Sequence, residues 1–218
     1  MHSDCNRIIL NAAESALSDE GLFQKGSSRI WIDDNGWYLT IVEFQPSGFA
    51  KGCYLNVAIH YLWQETDYLS FDYGGRVSGF VEFSGDEEQF MSDMTDLVRV
   101  AICQVRKYRR FTDFKYAKKQ VLKAKTASKT RELYHKLMMC GLCKDASARK
   151  FFRWLQAKHL NIKFPFEQEI YDEIEKQIAP VIDDTQAMYL YVVSKIMGQR
   201  DSWRRKPGME RLCEQIVL

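Results

Sequence analysis

The residues best suited to chemistry lie in one stretch of 35 residues, which carries a single histidine among alternating aromatic and polar side chains. Along this stretch Trp31, Tyr38, Tyr54, Asn56 and His60 are predicted to share one face of a small sheet. This face is too polar for an ordinary core and too aromatic for plain exposure. We therefore expect it either to bind a ligand or to lie beneath a helix.

A catalytic role for His60 requires more than its residue type. A histidine can act as a general acid or base, but no serine or cysteine nucleophile with an oriented base can be assembled from the sequence. The glycines of residues 74–79 lack the GxGxxG spacing, residues 24–28 lack the phosphate-loop pattern, and HExxH and GxSxG do not occur. The sequence predicts no catalytic residue and no cofactor, and it favours a protein that is not an enzyme.

Cys140 and Cys143 have the CxxC spacing of half a zinc site or of a redox pair. His135 is near in sequence, but no second CxxC or HxxxH follows to complete four ligands. A redox pair also follows a strand, whereas this pair ends a predicted helix. We interpret both cysteines as reduced structural residues and predict no metal; zinc and redox chemistry are the less favoured alternatives.

A basic helical segment carries the second group of candidate residues. Lys115, Lys119 and Lys123 are spaced at i, i+4 and i+8, and Arg109 and Arg110 precede them. Like charges at this spacing repel by about 0.2–0.5 kcal/mol per pair, which an anionic neighbour relieves. That neighbour is either nucleic acid or the acidic residues of this protein or of a second copy. The alternative is a lysine face in contact with solvent alone.

The net charge of +2 conceals a strong segregation of charge along the chain. Residues 1–103 contain 6 basic and 16 acidic side chains, and residues 104–159 contain 17 basic and 3 acidic ones. Residues 160–218 contain 8 and 10. An asymmetry of this kind predicts a polyanionic partner or a charged interface.

The candidate sheet residues depend on strands whose pairing the sequence indicates. Asn35-Gly36 is typical of a two-residue type I′ hairpin, which pairs Ile32 with Leu39 and Ile30 with Ile41. We expect Val57 and Ile59 of the next strand to join these residues on one apolar face. A short fourth strand is predicted at about residues 77–83.

Helical periodicity surrounds the sheet. A first helix is predicted at residues 6–20, and a longer one follows a Ser84–Glu87 capping box. The longer helix has an apolar stripe that we expect to pack on the sheet: Phe90, Met94, Leu97, Val98, Ala101, Val105 and Tyr108. Further helices are predicted at about residues 113–126, 129–141, 146–159, 167–179, 184–197 and 208–217.

These elements predict an α+β fold, with a small antiparallel sheet packed by helices and then an all-helical C-terminal region. We expect one domain at residues 1–110 and a helical region at residues 111–218. The segment GLFQKG and the later VEFQPS, with the helix before them, resemble a family of bacterial domains of unknown function over about residues 6–63. This resemblance implies a fold and transfers no functional residue.

No run approaches the roughly 20 apolar residues of a membrane span, and the N-terminal residues lack a secretory signal. Six scattered cysteines in a chain of 218 residues suit a reducing compartment, so the sequence predicts a soluble, cytoplasmic protein. We expect a non-enzymatic protein-interaction module, with a protein partner or self-association. The alternative is a nucleic-acid-associated protein that contacts phosphates through the basic helices of residues 104–159.

Overall fold

The computed structural model describes residues 3–158, 162 and 164–214. The fold is α+β, as the sequence predicts, with an antiparallel sheet and helices C-terminal to it. The strands are β1 (Phe23–Gln24), β2 (Ile30–Asp34), β3 (Tyr38–Pro46), β4 (Gly52–Tyr61), β5 (Tyr73–Arg76) and β6 (Val81–Glu82). The helices are α1 (Ser3–Asp19), α2 (Glu87–Arg109), α3 (Phe114–Lys123), α4 (Lys129–Leu142), α5 (Ala148–Lys158), α6 (Pro165–Glu173) and α7 (Thr185–Arg204).

The described residues form two compact units. The sheet unit takes the chain up to Leu62, then Thr66–Arg110, and finally the residues from Arg200 onward. The helical unit contains Trp63–Glu65 and Phe111–Gln199. The expected boundary at residue 110 falls where the chain passes from one unit to the other, but the chain from Arg200 onward belongs with the sheet.

The hairpin between β2 and β3 has a different register from the one that Asn35-Gly36 indicates. Ile32 pairs with Ile41 and Asp34 with Leu39, a shift of two residues. Gly36 has a φ of +81°, and the Trp37 N–H donates to the Asn35 carbonyl at 3.2 Å, which closes a three-residue turn around this glycine. Because the shift is even, Ile32, Leu39 and Ile41 still share one face.

The prediction that Val57 and Ile59 of β4 share a face with Leu39 and Ile41 is wrong. Ile41 pairs with Ala58 and Leu39 with His60, so Val57 and Ile59 lie on the opposite face. Each face of β4 is buried along most of its length, and a strand buried on both sides carries no alternation that fixes its register. The chain between the paired Pro46 and Cys53 sets the register instead.

Helix α2 covers the face that carries Val57. Its buried residues are Phe90, Met94, Leu97, Val98, Ala101, Val105 and Tyr108, which is the predicted stripe. The Met94 and Cys53 sulfur atoms are 3.7 Å apart, and the Tyr38 hydroxyl donates to the Tyr108 carbonyl at 2.8 Å. We call this the helix-covered face. The helix begins at an Asp86 cap rather than at the predicted Ser84, because the Asp86 carboxylate accepts the Gln89 N–H.

Residues 200–214, the C-terminal segment, cover the opposite face. The Arg200 guanidinium binds both carboxylate oxygens of Asp34 at 2.6 Å, and the Trp203 ring meets the His60 ring edge-on at 5.9 Å. We call this the segment-covered face. The helix predicted at 208–217 is wrong for residues 208–214, which form turns, and its remainder lies outside the described residues.

The helical unit packs α4 closely against α7. Gly141 lies within α4 rather than ending it, and a Cβ atom there would stand about 3 Å from Met188 and Val192 of α7. Gly198 directly follows the predicted helix end at residue 197, but it lies inside α7. No helix in the described part of the chain is long and apolar enough to cross a bilayer.

Candidate functional site

The five sheet residues singled out from the sequence do not share a face. Trp31 and Tyr38 belong to the helix-covered face and are fully buried, whereas Tyr54, Asn56 and His60 belong to the segment-covered face. The single ligand-binding face expected from the sequence is therefore wrong, because the register of β4 separates its members.

Each of these residues has a packing contact within the sheet unit. The Trp31 ring meets Phe44 edge-on at 5.5 Å. The Asn56 amide donates to Glu43 at 2.7 Å, and the Arg76 guanidinium lies 3.8 Å above the centre of the Tyr54 ring. These contacts account for the aromatic and polar mixture as structure, with Tyr54 half-buried and the other four residues buried.

His60 forms a network with Ser70 and Asp72, three residue types that also make catalytic triads. The His60 Nδ1 is 2.9 Å from the Ser70 Oγ, and the Ser70 hydroxyl donates to Asp72 at 2.8 Å. Asp72 also accepts the Tyr61 backbone N–H at 2.8 Å. The His60 and Asp72 side chains are fully buried, so this arrangement suits anchoring of the loop after β4 rather than acyl transfer.

The arginines before α3 differ from the lysines within it. Arg109 pairs with Glu20 at 2.7 Å and with Asp33 at 2.9 Å, and the hydrogen bond to Asp33 raises the pKa of Arg109. Its charge is thus already balanced inside the sheet unit. Arg110 is exposed at the C-terminal cap of α2.

Lys115, Lys119 and Lys123 lie along one exposed face of α3, which Asp113 caps through the Lys115 and Tyr116 N–H groups. None of the three forms an ion pair with a residue that the structure describes. Lys118, beside them, pairs with Asp145, and this contact raises the pKa of Lys118 and lowers the pKa of Asp145.

A groove of about 640 Å³ lies beside this lysine face, between α3 and the end of α4. We call it the lysine groove, and its lining is Phe114, Lys115, Lys118, Lys119, Leu122, Leu142, Cys143 and Lys144. Four lysines thus line the groove together with phenylalanine, leucine and cysteine side chains, which we call the apolar floor. Lys123 does not line the groove.

The turn after α4 positions one side of the lysine groove. Lys144 has a φ of +52°, the conformation in which glycine usually ends a helix. The Asp145 N–H donates to the Cys140 carbonyl at 2.9 Å, and the Asp145 carboxylate accepts the Ser147 N–H at 2.8 Å before α5 begins. The Lys144 ammonium lies 4.4 Å from the centre of the Tyr189 ring.

The two cysteines of the CxxC pair are free thiols at this turn. Burial raises the pKa of Cys140 to about 12 and also raises the pKa of Cys143, so neither is an activated thiolate at neutral pH. Within the residues that the structure describes, no three histidine, cysteine or acidic side chains come together as metal ligands.

Two of the five basic candidates, Lys115 and Lys119, line the groove. Sequence reasoning missed Leu122, Leu142 and Lys144, because their proximity to α3 depends on how α3 and α4 pack. The apolar floor has a partial signal in the sequence, because Phe114 lies on the same helix as Lys115 and Lys119. Comparisons of the chain with protein-family models, with curated proteins and with solved structures find no match.

Proposed function

We propose that this protein is a non-enzymatic binding module whose lysine groove accepts an acidic, amphipathic segment of a partner protein. The observation that carries the proposal is the combination of unpaired lysines with an apolar floor. Lys115 and Lys119 form no ion pair among the described residues, and Phe114, Leu122 and Leu142 line the same groove.

The groove offers two kinds of stabilisation to such a segment. Carboxylates would relieve the repulsion between Lys115 and Lys119, and leucine or phenylalanine side chains would remove apolar floor from water at about 25 cal/mol per Å². A helix with acidic and apolar residues on adjoining faces presents both at once. Electrostatic attraction also accelerates encounter between oppositely charged surfaces.

Nucleic acid is the second candidate, because the row of lysines continues to Lys123 beyond the groove. Phosphates would use Lys115, Lys119 and Lys123 alike and would have no use for the apolar floor. The two candidates therefore differ in how much they depend on Lys123.

Binding to labelled probes tests this difference. The probes are a synthetic helix that repeats glutamate and leucine at i, i+3 and i+4, a 20-nucleotide single strand and a 20-base-pair duplex. For the peptide we expect Lys115→Glu with Lys119→Glu to weaken binding at least about tenfold, since charge reversal at an interface costs several kcal/mol. The matched control Lys123→Glu should change the affinity less than about threefold, as expected for a rim charge.

A second variant tests whether the apolar floor contributes to peptide binding. Leu122→Ser should weaken the peptide complex while leaving any nucleic acid binding unchanged. If Lys123→Glu and Lys119→Glu weaken nucleic acid binding equally and the peptide does not bind, the second candidate replaces the proposal. Absence of binding to all three probes would overturn both.

A further inference from the structure

Helix α6 presents an acidic surface on the same helical unit that contains the lysine groove. It continues directly into a π-helical turn, Ile174–Ile178, and residues 165–178 together contain five acidic side chains and one basic one. Three of these acids are exposed, at intervals of three residues: Glu169, Asp172 and Glu175. Asp172 pairs with Lys176 at 2.8 Å, whereas Glu169 forms no ion pair with a residue that the structure describes. The outer side of this helix therefore carries net negative charge.

An exposed aromatic ring stands at the beginning of α6. Phe164, which directly precedes the helix, is 54% exposed, and its ring stacks on the Phe166 ring at 5.7 Å. The helix thus combines exposed carboxylates with an exposed apolar side chain. These are the two features that a helix needs in order to dock in a basic groove with an apolar floor.

Contacts within the helical unit hold α6 away from the lysine groove of its own chain. The Ser128 hydroxyl donates to Glu167 near the start of α6 at 3.0 Å, and the Tyr134 hydroxyl donates to Glu173 at its end at 3.0 Å. The groove lies at the other end of α4, where Leu142 lines it. Tyr134 and Leu142 are separated by about 12 Å along α4, at about 1.5 Å per residue. The helix that fills the groove must therefore come from another molecule.

The charges of the two surfaces are complementary. Lys115 and Lys119 line the groove without an ion pair among the described residues, and Glu169 is the acidic counterpart on α6. Because both surfaces belong to one unit, two copies related by a two-fold axis make the same contact twice. This closed arrangement doubles the area that a single helix in a groove would bury.

We propose that the protein binds a second copy of itself, with α6 of each copy lying in the lysine groove of the other. This inference rests on the proposed function, because it names the partner that supplies the acidic, amphipathic segment. In the dimer, Glu169 and Asp172 oppose the groove lysines, and Phe164 covers the apolar floor. Relief of the repulsion between the lysines stabilises the contact.

Sedimentation velocity of the full chain, from about 1 to about 100 µM, tests the proposal. We expect a dimer whose dissociation constant rises at least about tenfold between about 0.05 and about 0.5 M NaCl, because salt screens exposed charges. Lys115→Glu with Lys119→Glu should weaken the dimer at least about tenfold, and so should Glu169→Lys with Asp172→Lys, since each change places like charges together.

A mixture of these two double variants gives the decisive measurement. One chain then has an acidic groove and the other a basic α6, so the heterodimer has one contact with reversed charges and one with the original charges. Its dissociation constant should return to within about threefold of the wild-type value. The matched control Glu14→Lys with Glu88→Lys reverses two exposed charges of the sheet unit and should change dimerisation less than about threefold.

A chain that stays monomeric, a dimer that both double variants leave intact, a mixture that stays monomeric, or assemblies larger than a dimer would overturn the proposal. Circular dichroism shows whether the variants fold. If the α6 variant does not fold, competition decides, because the glutamate–leucine helix at saturation should dissociate the wild-type dimer. A monomeric chain that binds this helix through Lys115 and Lys119 overturns this inference alone and leaves the proposed function standing.

Discussion

Glu20 illustrates how single acidic residues of the sheet unit are held by the arginines of α2. Arg106 donates to its carboxylate at 2.6 Å and Arg109 at 2.7 Å. The hydrogen bond from Arg106, and then the nearby charges of Arg106 and Arg109, lower the pKa of Glu20 below its ordinary value, although partial burial opposes this. Part of the charge segregation seen in the sequence is thus neutralised locally, by arginines at the C-terminal end of α2.

This arrangement predicts a stability difference that depends on pH. A carboxyl group with a lowered pKa in the folded state stabilises the fold above its unfolded pKa of about 4.3 and stops doing so as the pH falls through the folded value. The difference in unfolding free energy between wild type and Glu20→Gln should therefore be full at pH 7 and vanish at acidic pH. Urea unfolding across pH measures it, with the exposed Glu14→Gln on α1 as the control. A difference independent of pH would contradict the assignment.

At the scale of elements, the sequence predicts where helices and strands occur better than it predicts how the strands pair. The stripe of α2 is recovered in full because seven apolar residues recur at helical spacing over 19 positions, from Phe90 to Tyr108. The register of β4 could not be recovered, since apolar side chains occupy both of its faces. The candidate sheet site is wrong for the same reason, because it depended on the predicted register of β4. Lys115 and Lys119 do share one exposed helix face, because their spacing within a single helix determines this and no tertiary information is needed.

Gly74 determines how closely β5 approaches α2. It has a φ of +90°, and a Cβ atom there would lie 2.2 Å from the Tyr108 hydroxyl oxygen and 2.8 Å from the Val57 carbonyl oxygen. We expect Gly74→Ala to lower the unfolding free energy by roughly 2–4 kcal/mol, from overpacking and from a conformation that alanine disfavours. Urea unfolding checks this value. Gly79→Ala, where no atom lies within 4 Å and φ is ordinary, should change stability little; equal effects would contradict the close approach.

At the scale of the whole molecule, the sheet unit is assembled from distant parts of the chain. Ile32, Leu39, Ile41 and Ala58 are buried on the segment-covered face, which Arg200 and Trp203 contact at Asp34 and His60. We expect a fragment of residues 1–110 to expose this face and therefore to unfold or to self-associate. Size-exclusion chromatography and circular dichroism distinguish these outcomes. A monomeric fragment with the unfolding midpoint of the full chain would show that the segment is dispensable.

The buried Arg200 has a consequence for the order of events during synthesis. Asp34 leaves the ribosome early, yet the guanidinium that neutralises it is encoded 166 residues later. At about 5–20 residues per second, the sheet waits on the order of 10–30 s with one face uncovered. The helical unit, whose last residue is Gln199, is complete before Arg200 emerges. A nascent chain stalled before Arg200 would thus be the species most in need of a chaperone.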